Sequence, residues 1–360
     1  VLQVITDRDR RGAQVFAVDL APGLEALGCE VTTVALAAGT RGDSLPVEVL
    51  GPSQRSWRTF RALRGAAKQH DLVIAHGSST LLACAVALVG TGIPFVYRQI
   101  SDPLVWAGTL LRRIRVALLL RRASCVVALT DGLATVVRRH YRLSAERVRV
   151  IPNAVPGSRF RPPSPHERAG ARAELGAPQG RLLVAAVGSL SPEKGFDLAI
   201  EAVAELADVS LVIAGAGPER QSLEQRAERC APGRVVFLGQ VPDSVHLYWA
   251  ADVVLVPSRT EAMPAVVIEA GLCGVPLVAT DVGSIREVLG DGEGSRIVAA
   301  NDPGALTVAL AAALRDHSAE RLKAENVERR LRSRYTIEVA SLAWLDVIEA
   351  SGRVRHGRSA

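Results

Sequence analysis

The feature that most constrains this chain is a rhythm of short apolar runs separated by helix-like stretches. "LQVIT", "EVTTVAL", "DLVIAH", "IPFVYR", "SCVVALT" and "VRVIPN" come first. After the Pro-rich stretch "RFRPPSPHERAG" the rhythm restarts with "RLLVAAVG", "SLVIAGAG", "RVVFLG", "DVVLVPS", "VPLVAT" and "SRIVAA". Continuous apolar strands alternating with helices imply parallel sheets covered on both faces. The restart implies two such sheets, with the break near 152–170. The expected division is a first α/β domain over 1–165 and a second over 166–335. A C-terminal helix over 336–350 is expected to pack back on the first domain, ahead of a basic tail at 351–360. At 360 residues the chain exceeds the usual size of one core, and 48% hydrophobic with 22% charged residues is ordinary for a globular protein. Doubly wound sheets bind ligands at the carboxyl ends of their strands, so two facing sheets are expected to form a cleft.

Composition narrows the function classes. Leu72 to Tyr97 carries no Asp, Glu, Lys or Arg. His76, "GSST" and "GTGIP" nevertheless divide it into strand, helix and strand, and the helix "LLACAVALVG" is too short to cross a bilayer. Cys29, Cys84, Cys125, Cys230 and Cys273 show no C-x-x-C spacing and read as buried thiols of a reducing compartment. No secretory signal opens the chain, which starts at Val1 with a strand-like run, so an initiator residue or short leader is expected to be missing ahead of it. The thiols point to a cytoplasmic location, with the inner face of the membrane as a candidate site of work. The net charge of +6 hides an asymmetry: residues 1–165 hold 22 basic and 11 acidic residues, the remainder 21 and 26. The basic half suits an anionic surface such as phospholipid headgroups. With 4% aromatics and no recognition module, nucleic acid is not expected as a partner.

The stretch "RTEAMPAVVIEAGLCGVP" holds Glu261 and Glu269 eight positions apart. On one helix that spacing gives about 80° of azimuth and about 12 Å of rise, too far for a carboxylate dyad. Pro264 fits the first helical turn, which leaves Glu261 in the loop after "DVVLVPS" and Glu269 more than a turn inside the helix. The helix start offers N–H groups to an anion. Carboxylates beside a phosphate repel it, so the two glutamates are expected to accept hydrogen bonds from neutral hydroxyls. A ligand with both phosphate and hydroxyls is a nucleotide sugar. The spacing alone also fits a solvated loop residue and a capping or ion-pair residue.

The surrounding motifs decide between these. "VGSLSPEKGFDLAIEAV", "LVIAGAGPER", "VRVIPNAV" and the long run from "VVFLGQVPDSVHLYWAADVVLVPS" through "GSIREVL" resemble the family 4 retaining glycosyltransferases. The resemblance implies a GT-B fold, two Rossmann-like domains facing each other across a cleft. It also implies transfer of a hexose from a nucleoside-diphosphate sugar to a hydroxyl of a glycan or lipid-linked acceptor, without metal or cofactor. By position, Glu269 would bind the donor ribose and Glu261 the transferred sugar. Ala262, Met263 and Pro264 would form the turn that approaches the sugar and diphosphate. Many members have Gly-Phe-Gly there, and Pro264 removes one N–H donor. Lys194 matches the lysine that neutralises the leaving diphosphate, which is coherent with charge developing there as the glycosyl bond breaks. Val241 falls where the backbone reads the base. Ser189 stands where the family often has a second diphosphate-binding Arg, so either a residue such as Arg259 or Arg11 compensates or turnover is weaker than usual.

In the first domain, Gly12 would let the backbone approach the donor phosphate. His76, Arg98 and Asp102 end strand-like runs and are candidates for binding the acceptor or moving its proton, His76 as a catalytic group. Each also fits a satisfied strand end, and Asn153 fits the turn between domains. "RSWRTFRALRGAAK" reads as a helix with Phe60, Leu63 and Ala67 on its apolar side, and Arg58, Arg61, Arg64 and Lys68 beside Trp57 on the other. With "LLRRIRVALLLRR" it suits peripheral association with an anionic membrane, or simply a solvated helix face. A nucleotide-sugar epimerase or hydrolase is the nearest alternative enzyme, and a two-domain solute-binding protein the alternative outside enzymes.

Overall fold

The computed structural model describes residues 1–40, 44–101, 108–176, 180–290 and 294–356. The apolar runs become strands because aliphatic and β-branched side chains fit a pleat covered on both faces. Two compact units result: Val1–Ala154 with Ile337–Ala360, and Val155–Thr336.

In the first unit the strands are β1 (Leu2–Asp7), β2 (Thr32–Ala37), β3 (Glu48–Val49), β4 (Val73–His76), β5 (Phe95–Gln99), β6 (Cys125–Ala128) and β7 (Val148–Val150). They form a parallel sheet in the order β3-β2-β1-β4-β5-β6-β7. Only the two-residue edge strand β3 has no counterpart in the apolar rhythm. One face is covered by the helices Trp57–Ala67, Ser78–Ala87, Leu110–Arg122 and Asp131–Tyr141, whose Leu63, Cys84, Leu120 and Val137 share one core. The other face carries Gly12–Glu25 and the C-terminal helix Ile337–His356, joined through Phe16, Leu20, Ile337 and Trp344. That last helix outruns its expected end at 350. Its buried side continues from Ile337, Ala340, Trp344 and Val347 to Ser351, so the expected tail begins inside the helix; residues 357–360 lie outside the described residues.

In the second unit, β8 (Leu182–Val187), β9 (Val209–Ala214), β10 (Val235–Gly239), β11 (Val253–Val256), β12 (Leu277–Thr280) and β13 (Ser295–Val298) form a parallel sheet ordered β10-β9-β8-β11-β12-β13. The unit starts at Val155, not at 166. Val155 bridges Thr336 and donates to the Tyr335 carbonyl at 3.1 Å, and Phe160 is buried, so the Pro-rich stretch belongs to this unit. A capping box of Ser164 and Glu167 then starts the helix Pro165–Glu174. Of the cysteines, Cys84, Cys125 and Cys273 are buried, but Cys230 is exposed at the end of the helix Arg220–Cys230, against expectation.

Each sheet winds outward in two directions from a central pair, β1/β4 in one unit and β8/β11 in the other. At such a switch point the connections leave to opposite faces and open a crevice at the carboxyl ends of the strands.

Candidate functional site

In the second unit the loops after β8 and β11 flank the switch point, and they carry Lys194 and Glu261. The 3-10 turn Pro192–Lys194 follows β8, and Gly195 at φ +65 turns the chain into the helix Phe196–Ala204. A Cβ on Gly195 would collide with the Pro257 carbonyl oxygen, so glycine lets the two loops close on each other. Lys194 Nζ then meets Glu261 Oε1 at 2.5 Å, with the lysine side chain 24% and the glutamate 10% exposed. Ser258 Oγ donates to the same oxygen at 2.8 Å. The family resemblance assigned these residues to separate ligand groups; the structure brings them together as an ion pair. Glu261 Oε2 takes no hydrogen bond from the described residues, and an ammonium bonded once still has two N–H donors to offer.

The helix Ala265–Leu272 begins one residue later than expected, with Pro264 as its N-cap at ψ 123°. No side chain caps it, and of its opening N–H groups that of Val267 bonds the Pro264 carbonyl at 3.3 Å. The preceding turn is held from below: Ser284 donates to the Ala262 carbonyl through both N (3.0 Å) and Oγ (2.9 Å). Ala262 is exposed, while Met263 and Pro264 are buried. Glu269 lies in the second turn, where Tyr248 Oη and Ser244 Oγ donate to its Oε2 at 2.6 and 3.3 Å. Burial, and then the Glu269 charge, push the Tyr248 phenol well above its ordinary pKa, so it remains a donor. Val241 follows β10 and is half-buried. Ser189 follows β8, its Oγ 3.1 Å from that of Ser191.

Neither arginine expected to replace the missing one is free. Arg259 grips Asp197 through Nη1 and Nη2 at 2.8 and 2.7 Å and also bonds the Pro192 carbonyl at 2.9 Å. Burial raises the Asp197 pKa, but the hydrogen bonds and charge of Arg259 outweigh it and hold the carboxyl below its ordinary value. Arg11 pairs with Asp7 inside the first unit. Tyr248, Ser244, Ser258, Asp197 and Ser284 went unnoticed in the sequence, since each acts across a turn or between elements with no fixed spacing.

The first unit corrects two expectations. His76 and Arg98 are paired neighbours on β4 and β5 and share a face of the sheet, the face the C-terminal helix covers. Both are only 1% exposed. His76 Nε2 bonds Gln3 Oε1 at 3.0 Å between the rings of Phe16 and Trp344. The Arg98 guanidinium lies 3.6 Å from the Phe16 ring centroid and donates to Asn153 Oδ1 at 2.9 Å. Burial, then the Arg98 charge, hold the His76 pKa well below its ordinary value. At that burial neither side chain reaches the surface of its unit, and Asn153 serves as a hydrogen-bond partner of Arg98. Gly12 opens its helix with open space where a Cβ would stand. Asp102 lies outside the described residues.

Comparison with known proteins agrees with this architecture. The family model described as "Glycosyl transferases group 1" matches residues 167–330, and that of "Glycosyltransferase Family 4" matches residues 10–159. A D-inositol 3-phosphate glycosyltransferase of Nocardia farcinica is 33% identical over 245 residues, 64% of this chain and 52% of that protein. A 2-deoxystreptamine glucosyltransferase of Streptomyces kanamyceticus is 34% identical over 179 residues, 48% of this chain and 46% of that protein. The chain thus spans about half the length of these relatives. Among solved structures, Anabaena HepE in complex with UDP-glucose has a TM-score of 0.84 at 23% identity, covering 97% of this chain and 99% of that one. WaaG, a glycosyltransferase involved in lipopolysaccharide biosynthesis, has a TM-score of 0.74 at 20% identity, covering 95% and 98%. These likenesses show the shared GT-B fold.

Proposed function

Because this chain belongs to the family 4 glycosyltransferases, we propose that it moves a hexose, with retention, from a nucleoside-diphosphate sugar to a hydroxyl of a glycan or lipid-linked acceptor. The pairing of Lys194 with Glu261 at the β8/β11 switch point carries this reading. The ammonium keeps one N–H on Glu261 and turns the others to the diphosphate, while Glu261 Oε2 accepts a hydroxyl of the sugar. Glu269, braced by Tyr248, accepts from the ribose. The turn of Ala262, Met263 and Pro264 and the start of the helix Ala265–Leu272 lie along the diphosphate, with Ser189 beside them and the backbone of Val241 on the base. Acceptor recognition is assigned to the first unit. UDP-glucose bound to the structurally similar HepE makes a nucleotide sugar the natural donor class here.

In the step we infer, the bond from the anomeric carbon to the phosphate oxygen breaks and its electron pair leaves on the diphosphate. Lys194 and the helix N–H groups meet that charge, a role we assign to them in place of a cation. The acceptor oxygen bonds the anomeric carbon on the same face, and its proton passes to the departing phosphate oxygen. The test is nucleotide release from a panel of nucleotide sugars with and without glycan and lipid acceptors. Acceptor-dependent release is expected, falling about 100-fold in Lys194→Ala and weakened through donor KM in Glu269→Ala. Tight binding with no acceptor-dependent release, or unchanged kinetics in both variants, overturns the reading.

A further inference from the structure

The large apolar side chains left on the surface are not scattered. Of the twelve that stand exposed among the described residues, seven sit on or beside three helices of one layer: Trp57, Val86, Val89, Leu110, Leu111, Ile114 and Leu118. The helices Trp57–Ala67, Ser78–Ala87 and Leu110–Arg122 pack side by side on the same face of the first sheet. No helix among the described residues is long and apolar enough to cross a membrane, so these side chains belong to an outer surface rather than to a span.

The helix Leu110–Arg122 has the clearest pattern. Leu110 and Leu111 are 74% and 80% exposed, Ile114 and Leu118 49% and 58%. At about 100° per residue these four fall within an arc of about 100°, centred about 150° from the buried Val116 and Leu120. The stripe therefore faces away from the core. Arg115 and Arg122 border it on one side, and Arg121 lies at its C-terminal end; all three are exposed. Such arginines lay their aliphatic stems along apolar surface and hold the charge at its rim. Trp57 adds an amphipathic ring, 74% exposed, with Arg58 and Arg61 exposed on the same helix. Arg64 is not available, since its Nη1 is taken by the carbonyls of Ala87 and Val89 at 2.9 and 2.6 Å. Between Glu48 and Asp131 only Asp71 and Asp102 are acidic.

We propose that this face docks on an anionic lipid surface, with the helix Leu110–Arg122 lying in the plane of the interface. Its Leu/Ile stripe enters the acyl boundary and its arginines engage lipid phosphates, while Trp57 anchors the neighbouring helix at headgroup level. A protein partner of ordinary surface would leave the arginines uncompensated, and a second copy of this chain would bring like charge against like. An anionic membrane alone satisfies both the apolar stripe and its cationic rim. The proposal does not depend on the transferase reading, because binding is measured without a sugar donor.

The test is co-sedimentation of the full chain with phosphatidylglycerol vesicles and with phosphatidylcholine vesicles, at low and high salt. Binding to the anionic vesicles is expected to weaken at least about tenfold in Leu111→Ser/Ile114→Ser and in Arg115→Glu/Arg122→Glu. The wild type should keep part of its binding at high salt, the share owed to the apolar stripe. Quenching of tryptophan fluorescence by brominated lipid should fall in Trp57→Phe, and unchanged circular dichroism would show that each variant is folded. No binding at low salt overturns the proposal, as does equal binding to both lipids or an undiminished Leu111→Ser/Ile114→Ser variant. A concentration-dependent dimer that this variant abolishes would assign the face to self-association instead.

Discussion

His76 is the residue whose burial most changes how the chain responds to its surroundings. A neutral imidazole sits between Phe16, Trp344 and Gln3 with the Arg98 cation beside it, and protonation would put a second charge into that core. Its folded pKa is lowered, so between that value and the ordinary one near 6.5 the unfolded chain binds a proton that the native chain does not. Stability is then fully present above pH 6.5 and falls as the pH drops below it, by about 1.4 kcal/mol per unit. Urea denaturation between pH 7.5 and 4.5 should show this slope, and His76→Gln, which cannot titrate, should flatten it. An identical pH profile in the variant would mean that other groups drive the acid response. The same side chain shows why residue roles were only partly legible. A histidine at a strand end reads as a cleft residue until the C-terminal helix, 268 positions away at Trp344, is known to lie over it. That Lys194 and Glu261 stand on loops at strand ends was legible from their motif neighbours; their mutual bond was not, since it depends on how closely Gly195 lets those loops approach.

At the scale of elements, the loops that flank the β8/β11 switch point are tied together by Arg259 as well as by the Lys194–Glu261 pair. Arg259 joins the loop after β11 to the turn after β8 through Asp197 and the Pro192 carbonyl, and its backbone N–H bonds the Glu193 carbonyl at 2.7 Å. Lys194 is carried on that turn, so releasing the staple should misplace the ammonium without removing it. Misplacement by about 1 Å can cost about 100-fold in rate. Arg259→Ala is therefore expected to lower kcat by 10- to 100-fold or so, with donor binding little changed. In a Lys194→Ala background the same substitution should cost almost nothing further, because the group it positions is gone. Additive losses in the double variant would show that Arg259 acts on the ligand itself. The strands were legible because buried parallel strands must be continuously apolar, as in "LLVAAV" and "VVLV". The edge strand Glu48–Val49 was not, being two residues with no period. The helix that carries Glu269 was placed to within one residue, and Gly271 within it and Gly274 after it have separate reasons. A Cβ on Gly271 would strike Leu331 of the helix His317–Arg332, and Gly274 turns at φ +66.

The whole molecule is two cores threaded by one chain that passes between them at 154/155 and again at 336/337. Each unit buries its own apolar clusters, and the first borrows Ile337, Ala340, Trp344 and Val347 from the chain's far end. Separate cores joined by few crossings are expected to unfold as separate cooperative units. Trp344 is fully buried in the first unit, so Trp344→Ala should cost it about 3–5 kcal/mol and leave the second untouched. A nucleoside diphosphate at the Lys194/Glu269 crevice should do the reverse. It stabilises only the unit that binds it, by about 2.7 kcal/mol at 100 times its dissociation constant. Calorimetry should therefore resolve two transitions, one lowered by Trp344→Ala and the other raised by the nucleotide. Trp249 is the sole tryptophan of the second unit and is hydrogen-bonded there to the Arg161 carbonyl at 2.8 Å, so its fluorescence reports the second transition directly. A single transition shifted by both the substitution and the nucleotide would mean that the two units fold as one, and that ligand binding in the second is coupled to the C-terminal helix of the first.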